Sequence, residues 1–265
     1  MNPSSTDNQH HDLERYTRQI AFKSIGPDRQ RRLVESRVVL IGCGALGSVI
    51  ANTLVRAGVG FLRLIDSDRI ELSNLQRQVL FDEDAVGRLK AEATRNALAR
   101  VNPTVQIEAV TARVSRDNIT ELADGVQLLL DGTDNFDTRL LINDLAVKTQ
   151  RPWVFGACAG SRGLAMPIIP NTTPCLRCLF EEGMPSELTP TAQTDGILGP
   201  VVNRVASHQA MEAMKILMGA LDAVDRRLMT CDVWTGRDVR INVQNAYDKG
   251  NCSCCKQNRF EYLEG

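Results

Sequence analysis

Short apolar runs alternate with helix-forming stretches along the first 160 residues of the chain. Val38-Val39-Leu40-Ile41 is uninterrupted and mostly β-branched, the pattern of a parallel strand buried on both faces. A glycine turn follows, then a helical pattern through Ala57 that Gly58 and Gly60 end. Phe61-Leu62-Arg63-Leu64-Ile65 predicts a second strand closing on Asp66. Residues 84–100 carry helix formers and stop at Asn102-Pro103. Residues 105–110 alternate as a third strand. A helix near 115–123 precedes a fourth strand, 126–130, which runs into Asp131-Gly132-Thr133-Asp134-Asn135. A helix over 136–149 and a strand over 153–157 continue the pattern. Such alternation predicts an α/β fold, Rossmann-like and doubly wound around a mostly parallel sheet, with binding residues at the strand C-termini.

The pattern changes at its two ends. Residues 12–36 are polar and basic and read as a helical arm and loop. After Gly160, Pro167, Pro170 and Pro174 argue for edge strands or loops over 163–175. Residues 183–200 read as a long loop, functional or mobile by its length. A helix over 201–218, strands over 228–234 and 237–243 and a cysteine-rich tail complete a C-terminal mixed or antiparallel portion. The expected organisation is two halves, 1–160 and 161–265, in one cooperative domain, the first holding the strand ends at which a doubly wound sheet binds its ligand.

Composition narrows the function classes. Lys and Arg number 31 against 32 Asp and Glu, a net charge of −1, which argues against attachment to nucleic acid by bulk charge. With 43% hydrophobic and 24% charged residues the chain can bury a real core. The longest uncharged stretch, 38–55, is broken by Gly42-Cys43-Gly44 into strand, turn and helix, so no membrane span is expected. No secretory signal is visible, and the expected location is the cytoplasm.

Gly42-x-Gly44-x-x-Gly47 lies between a predicted strand and a predicted helix, and the next strand ends in Asp66 about twenty residues on. Glycines permit a tight turn and close backbone approach to phosphate. The helix N-terminus offers oriented N–H groups, and the acid suits ribose hydroxyls. This predicts a nucleotide without choosing between NAD and ATP. Arg77 and Lys90 suit a triphosphate, and a carboxylate at a strand end beside phosphates suits Mg2+.

Arg15-Tyr16-x-Arg18-Gln19, Gly42-x-Gly44-x-x-Gly47, Ser73-Asn74-Leu75-Gln76-Arg77-Gln78, Asp131-x-Thr133-Asp134-Asn135 and two CxxC pairs occur in this order. From Tyr16 to Cys255 the chain resembles the ThiF/MoeB/HesA family of ubiquitin-activating-enzyme-like adenylyltransferases. The resemblance implies a homodimer that uses Mg-ATP to adenylate the C-terminal glycine of a ubiquitin-like sulfur-carrier protein ending in Gly-Gly. It implies an ATP site of Gly42, Gly44, Ala45, Gly47, Asp66, Ser73, Asn74, Arg77, Lys90, Asp134 and Asn135. Asp66 would hold the ribose, and Asn74, Arg77 and Lys90 the phosphates. Asp134 would bind Mg2+, and Arg18 would reach the phosphates of the other subunit; Arg18, Arg77 and Asp134 are the expected catalytic residues. The chemistry agrees, because an attacking carboxylate is already ionised at pH 7 and needs no general base. The three histidines fit no triad: His10 and His11 are near the N-terminus, and His208 lies on a helix as a polar-face residue.

Cys175-Leu176-Arg177-Cys178 supplies one CxxC pair, and Cys252-Ser253-Cys254-Cys255 a second if Cys252 and Cys255 are its ends. Four thiolates make a closed tetrahedral Zn2+ site that ties the tail to the core, and two pairs argue against a redox role. Cys254 is spare, and Cys43, Cys158 and Cys231 read as inert core thiols. Met211, Met214 and Met218 form a core or dimer-interface stripe. Many family members carry a cysteine four residues before the glycine that is Gly196 here. This chain has Ala192, and 183–200 holds no cysteine, so the enzyme is expected to stop at the acyl-adenylate. The sulfur donor, a sulfurtransferase or desulfurase, is expected to be a separate protein, since no such domain follows Gly265. The sulfur would serve molybdopterin, thiamine, thiolated tRNA or a related product. Two alternatives stand: a tRNA-modifying dehydratase of the same superfamily, which would want a more basic surface, and an NAD-dependent oxidoreductase, which leaves Arg77, Lys90 and Asp134 without a role.

Overall fold

The computed structural model describes residues 13–180, 195–248 and 250–265. One sheet has the strand order β3-β2-β1-β4-β5-β6-β7-β8. Its strands are β1 (Arg37–Ile41), β2 (Phe61–Ile65), β3 (Gln106–Val110), β4 (Leu128–Asp131), β5 (Trp153–Ala159), β6 (Arg162–Ile168), β7 (Leu228–Asp232) and β8 (Arg237–Ile241). Neighbours from β3 to β5 are parallel, and those from β5 to β8 antiparallel. The long helices are α1 (Gly26–Val34), α2 (Ala45–Ala57), α3 (Lys90–Val101), α4 (Phe136–Lys148) and α5 (Gly199–Leu217).

Side chains alternate across a strand, and β1 divides accordingly. Val38 and Leu40 join a core beneath α2, α3 and α5, whereas Val39 and Ile41 join a second core beneath α4. Burial on both faces explains the continuous apolar run. The helices that follow β1 and β4 therefore leave to opposite faces, and a crevice opens between those two strand ends.

Three expectations need correction. The helix expected over 84–100 starts only at Lys90, since Glu83–Ala85 is a separate 3₁₀ turn whose N-cap is Asp82. The helix near 115–123 shrinks to Ile119–Leu122, because Asn118 bonds locally to Ser115 and Arg113 instead of extending it. The proline-bearing segment divides: Pro167 lies in an interior strand, β6, paired on both sides, whereas Pro170 and Pro174 lie in the loop that follows, as expected. The pairing of β6 with β7 ends at Ala165–Met229, so Pro167 lies where β6 has only β5 as a neighbour and its missing N–H removes no β7 bond. Ala192 and most of the expected loop, His10 and His11 lie outside the described residues.

The basic arm docks against the C-terminal end of α2. Asn102 Nδ2 donates to Tyr16 Oη and to the Val55 carbonyl, each at 2.8 Å. Gln19 and Gln30 both donate to the Ala57 carbonyl, at 3.1 and 2.9 Å. Met214 and Met218 are buried in the core, while Met211 is exposed. Among the described residues no helix is long and apolar enough to cross a membrane.

His208 on α5 faces Arg240 of β8, Asp225 of the loop before β7, and Arg204, Glu212 and Lys215 of its own helix. Glu212 is already engaged by Lys215 and by the Asp225 N–H. Burial, reinforced by the surrounding cations, pulls the His208 imidazole down to about 4 from its ordinary 6.5. The unfolded chain therefore binds a proton between these values that the folded chain refuses. Stability should be full above pH 6.5 and fall as pH drops towards 4, by up to about 3 kcal/mol from this group. His208→Gln is expected to flatten that part of the curve in chemical denaturation against pH.

Candidate nucleotide-binding site

The crevice between β1 and β4 is built on glycine. Gly42 has a φ of 92°, the left-handed region. A Cβ on Gly47 would lie 1.9 Å from the Gly42 carbonyl oxygen, and one on Gly132 would lie 2.3 Å from it. Gly42, Gly47 and Gly132 are thus required by the close approach of two turns. Gly44 differs, since a Cβ there would meet nothing nearer than Gln78 Nε2 at 3.8 Å. It caps α2, and its open side together with the free N–H groups of Ala45 and its neighbours forms a place for phosphate.

Asp66 ends β2 beside this turn. Its carboxylate accepts from the Cys43 N–H at 2.7 Å and the Asp68 N–H at 2.8 Å. Burial pushes the Asp66 carboxyl up, against those two donors and the nearby Lys90. Lys90 is buried at the first turn of α3, where the helix dipole disfavours a cation. Asp68 holds it with an ion pair of 2.9 Å. A cation kept there against the dipole is available to a polyanion.

The 72–78 segment folds as a 3₁₀ turn with a capping box between Glu71 and Asn74. Asn74 is buried, accepting from the Glu71 N–H at 3.2 Å. Ser73 is exposed and donates to Glu71 Oε2, while Arg77 Nη1 is held by the Ser73 carbonyl at 3.0 Å. Gln76 reaches across to the Ile197 carbonyl at 3.4 Å, tying this segment to the entry of α5.

The turn after β4 separates two carboxylates by task. Asp131 is fully buried and saturated: it accepts from Thr133 N and Oγ1 at 2.9 and 2.7 Å, from Arg139 Nε at 3.0 Å and from Gly156 N at 3.3 Å. Gln209 of α5 donates to the carbonyls of Asp131 and Val154, at 2.8 and 3.2 Å, across the space that the missing side chain of Gly156 leaves. Asp134 is exposed and makes no bond to any described residue, while Asn135 caps α4 by accepting from Thr138 N at 2.9 Å. One carboxylate holds the turn, and the other is free for a ligand. Sequence reasoning missed Arg139 and Gln209, whose polarity in otherwise apolar helices was the available signal. It also missed Arg113 and Arg116, which line a cavity of about 410 Å3 together with Asn135 and Thr138.

The structure gathers the glycine turn, Asp66, Lys90, Asp134 and Asn135 on elements that end at one sheet edge, but it leaves Arg18 elsewhere. The arm docks at the Ala57 end of α2, about 20 Å from Gly44 at 1.5 Å per helical residue. Arg18 is exposed and bonds to no described residue.

On the far side of α4, Cys175, Cys178, Cys252 and Cys255 bring their sulfurs within 4.8 Å of one another. Three of the separations are 3.6, 3.8 and 3.3 Å. A tetrahedral ion with bonds of 2.3 Å needs about 3.8 Å, so the donor set fits zinc. Cys254 is not in the set; it is buried and accepts from Asn143 Nδ2 of α4. Burial raises the Cys43, Cys158 and Cys231 thiols, in keeping with inert core positions.

The model of the ThiF family matches residues 16–254. The chain is 41% identical to the sulfur carrier protein ThiS adenylyltransferase of Bacillus subtilis, over 94% of this chain and 73% of that protein. It is 38% identical to the SAMP-activating enzyme E1 of Haloferax volcanii, over 95% and 92%. Among solved structures, E. coli MccB with AMPCPP and MccA superposes with a TM-score of 0.78 at 22% identity, covering 96% of this chain and 82% of that one, a likeness of fold.

Arg139→Met leaves the Asp131 carboxylate buried without its cation, and should cost roughly 3–5 kcal/mol in urea denaturation. Asp134→Asn, at an exposed and unbonded position, should stay within about 0.5 kcal/mol of the parent protein.

Proposed function

Since the chain belongs to the ThiF family, we propose that it adenylates the C-terminal glycine of a ubiquitin-like sulfur-carrier protein with ATP. The carrier's terminal carboxylate attacks the α-phosphorus, the bond to pyrophosphate breaks, and an acyl-adenylate forms. The observation that carries this reading is the division of labour at the end of β4: Asp131 is saturated and fixes the turn, while Asp134, three residues on, is exposed and bonds to no described residue.

Each residue has a task that follows from its surroundings. Asp66, fixed by two backbone donors, receives the ribose hydroxyls. The N–H groups after Gly44, with Ser73, Asn74, Arg77, Lys90 and Asn135, line the path of the phosphates. Magnesium, which keeps several waters and needs few protein ligands, would be held by Asp134 and would neutralise charge on the leaving pyrophosphate. No residue has to remove a proton, so rate comes from placement and charge. The arm that carries Arg18 docks at the Ala57 end of α2, the end away from the glycine turn, which favours a homodimer in which Arg18 serves the neighbouring site. With Ala192 in place of a thiol, the chain stops at the adenylate and passes it to a separate sulfur donor. Zinc at the tetracysteine set closes the tail onto the core, in a reducing, cytoplasmic setting that keeps thiolates available.

ATP–pyrophosphate exchange with candidate carriers ending in Gly-Gly tests this reading; exchange with none of them would overturn it. Arg77→Ala and Asp134→Ala should each slow exchange at least ~10²-fold with the fold intact. A mixture of Arg18→Ala and Asp134→Ala protomers should regain part of the activity after subunit exchange, because one site of each heterodimer is complete.

Protein purified without chelator should carry one zinc per chain by elemental analysis. Chelation should release the tail from 250 onward to limited proteolysis before the nucleotide half unfolds, as metal affinity is linked to folding.

A further inference from the structure

Gln78 closes the Ser73–Gln78 segment, and no task described above uses it. It is 3% exposed, yet its Oε1 has no hydrogen-bond partner among the described residues. Its backbone is fully engaged in the turn, with its N–H donating to Asn74 and its carbonyl accepting from Phe81. Its Nε2 is the nearest atom to the open side of Gly44, the one glycine of the triplet that packing leaves free. A buried amide acceptor without a donor costs stability, and an apolar side chain of similar volume would avoid that cost. A group kept in this state beside a phosphate-binding turn has a partner that arrives with the substrate.

The missing partner must be a donor. Triphosphate oxygens only accept, and so does an ionised carboxylate. The ribose hydroxyls belong at Asp66, and the adenine amino group lies beyond the ribose from the phosphate end. The remaining donor near a reacting α-phosphate is the peptide N–H of the acyl substrate's last glycine. We infer that Gln78 is a substrate-contacting residue whose Oε1 accepts the N–H of the carrier's terminal glycine while Nε2 donates to the carboxylate or α-phosphate oxygens beside Gly44. Such a two-ended amide fixes the carboxylate's approach and selects a peptide terminus over a simple acid. This inference rests on the adenylation reading.

The test uses two stable mimics of the acyl-adenylate and needs no identified carrier. One is N-acetylglycyl-sulfamoyl-adenosine; the other is its depsi counterpart, with oxygen replacing the glycine N–H. Binding of both to the parent protein and to Gln78→Leu is measured by calorimetry, together with the melting temperature of each unliganded protein. Gln78→Met serves in place of Gln78→Leu if the latter does not fold. Loss of the N–H should weaken binding to the parent at least about tenfold and to the variant by less than about threefold, since the interaction is already absent there. The unliganded variant should melt higher than the parent, because the orphaned acceptor is gone. An equal loss on both proteins, or a lower melting temperature, would make Gln78 a packing residue and overturn the inference. If the parent binds neither mimic nor ATP, the adenylation reading falls, and this inference falls with it.

Discussion

Everything at the C-terminal edge of the sheet depends on how closely the turns after β1 and β4 approach each other. The Gly42 carbonyl sits where a side chain on either Gly47 or Gly132 would have to be. That contact sets the start of α2 directly against the exit of β4. Because α2 and α4 then leave to opposite faces, a crevice opens between them that is bordered by the two turns and by helix N-termini. A polyanion is the natural occupant of such a space.

Around this crevice, polar groups divide into those that hold the fold and those that wait for a ligand. Asp131 is satisfied by Thr133, Arg139 and Gly156, and the carbonyl above it by Gln209, so the β4 exit is rigid. Asp134, three residues on, bonds to no described residue. Lys90 is buried at the wrong end of a helix dipole, Asp66 is half-buried with its carboxyl pushed up, and Gln78 lacks a donor among the described residues. Each of these three is unfavourable in the unliganded fold. Their concentration at one edge marks the site more sharply than any cavity does.

Much of this was legible along the chain. The strands of the parallel half were readable because burial on both faces leaves an unbroken apolar run, and the turn after β1 because only glycine suits it. Misreadings came where local rules met tertiary context. Pro167 argued against an interior strand, but β7 stops short of it. Helix formers from 84 onward suggested a helix that local capping at Asp82 and Asp68–Lys90 pairing delays to Lys90. Arg139, Gln209 and Gln78 were silent because their meaning lies in partners 8, 53–78 and 34 positions away.

The sequence by itself determined the strand–helix alternation, the glycine turn, the acids and bases flanking it and the four thiols at metal spacing. These are local or periodic signals, written within a few residues of where they act. Only the tertiary structure decided that Asp131 is sealed while Asp134 bonds to no described residue, that the arm carrying Arg18 docks at the Ala57 end of α2, and that Gln78 faces Gly44 without a donor among the described residues. Whether a polar group is spent or available depends on what the rest of the chain brings within 3 Å of it, and residue order does not carry that distance.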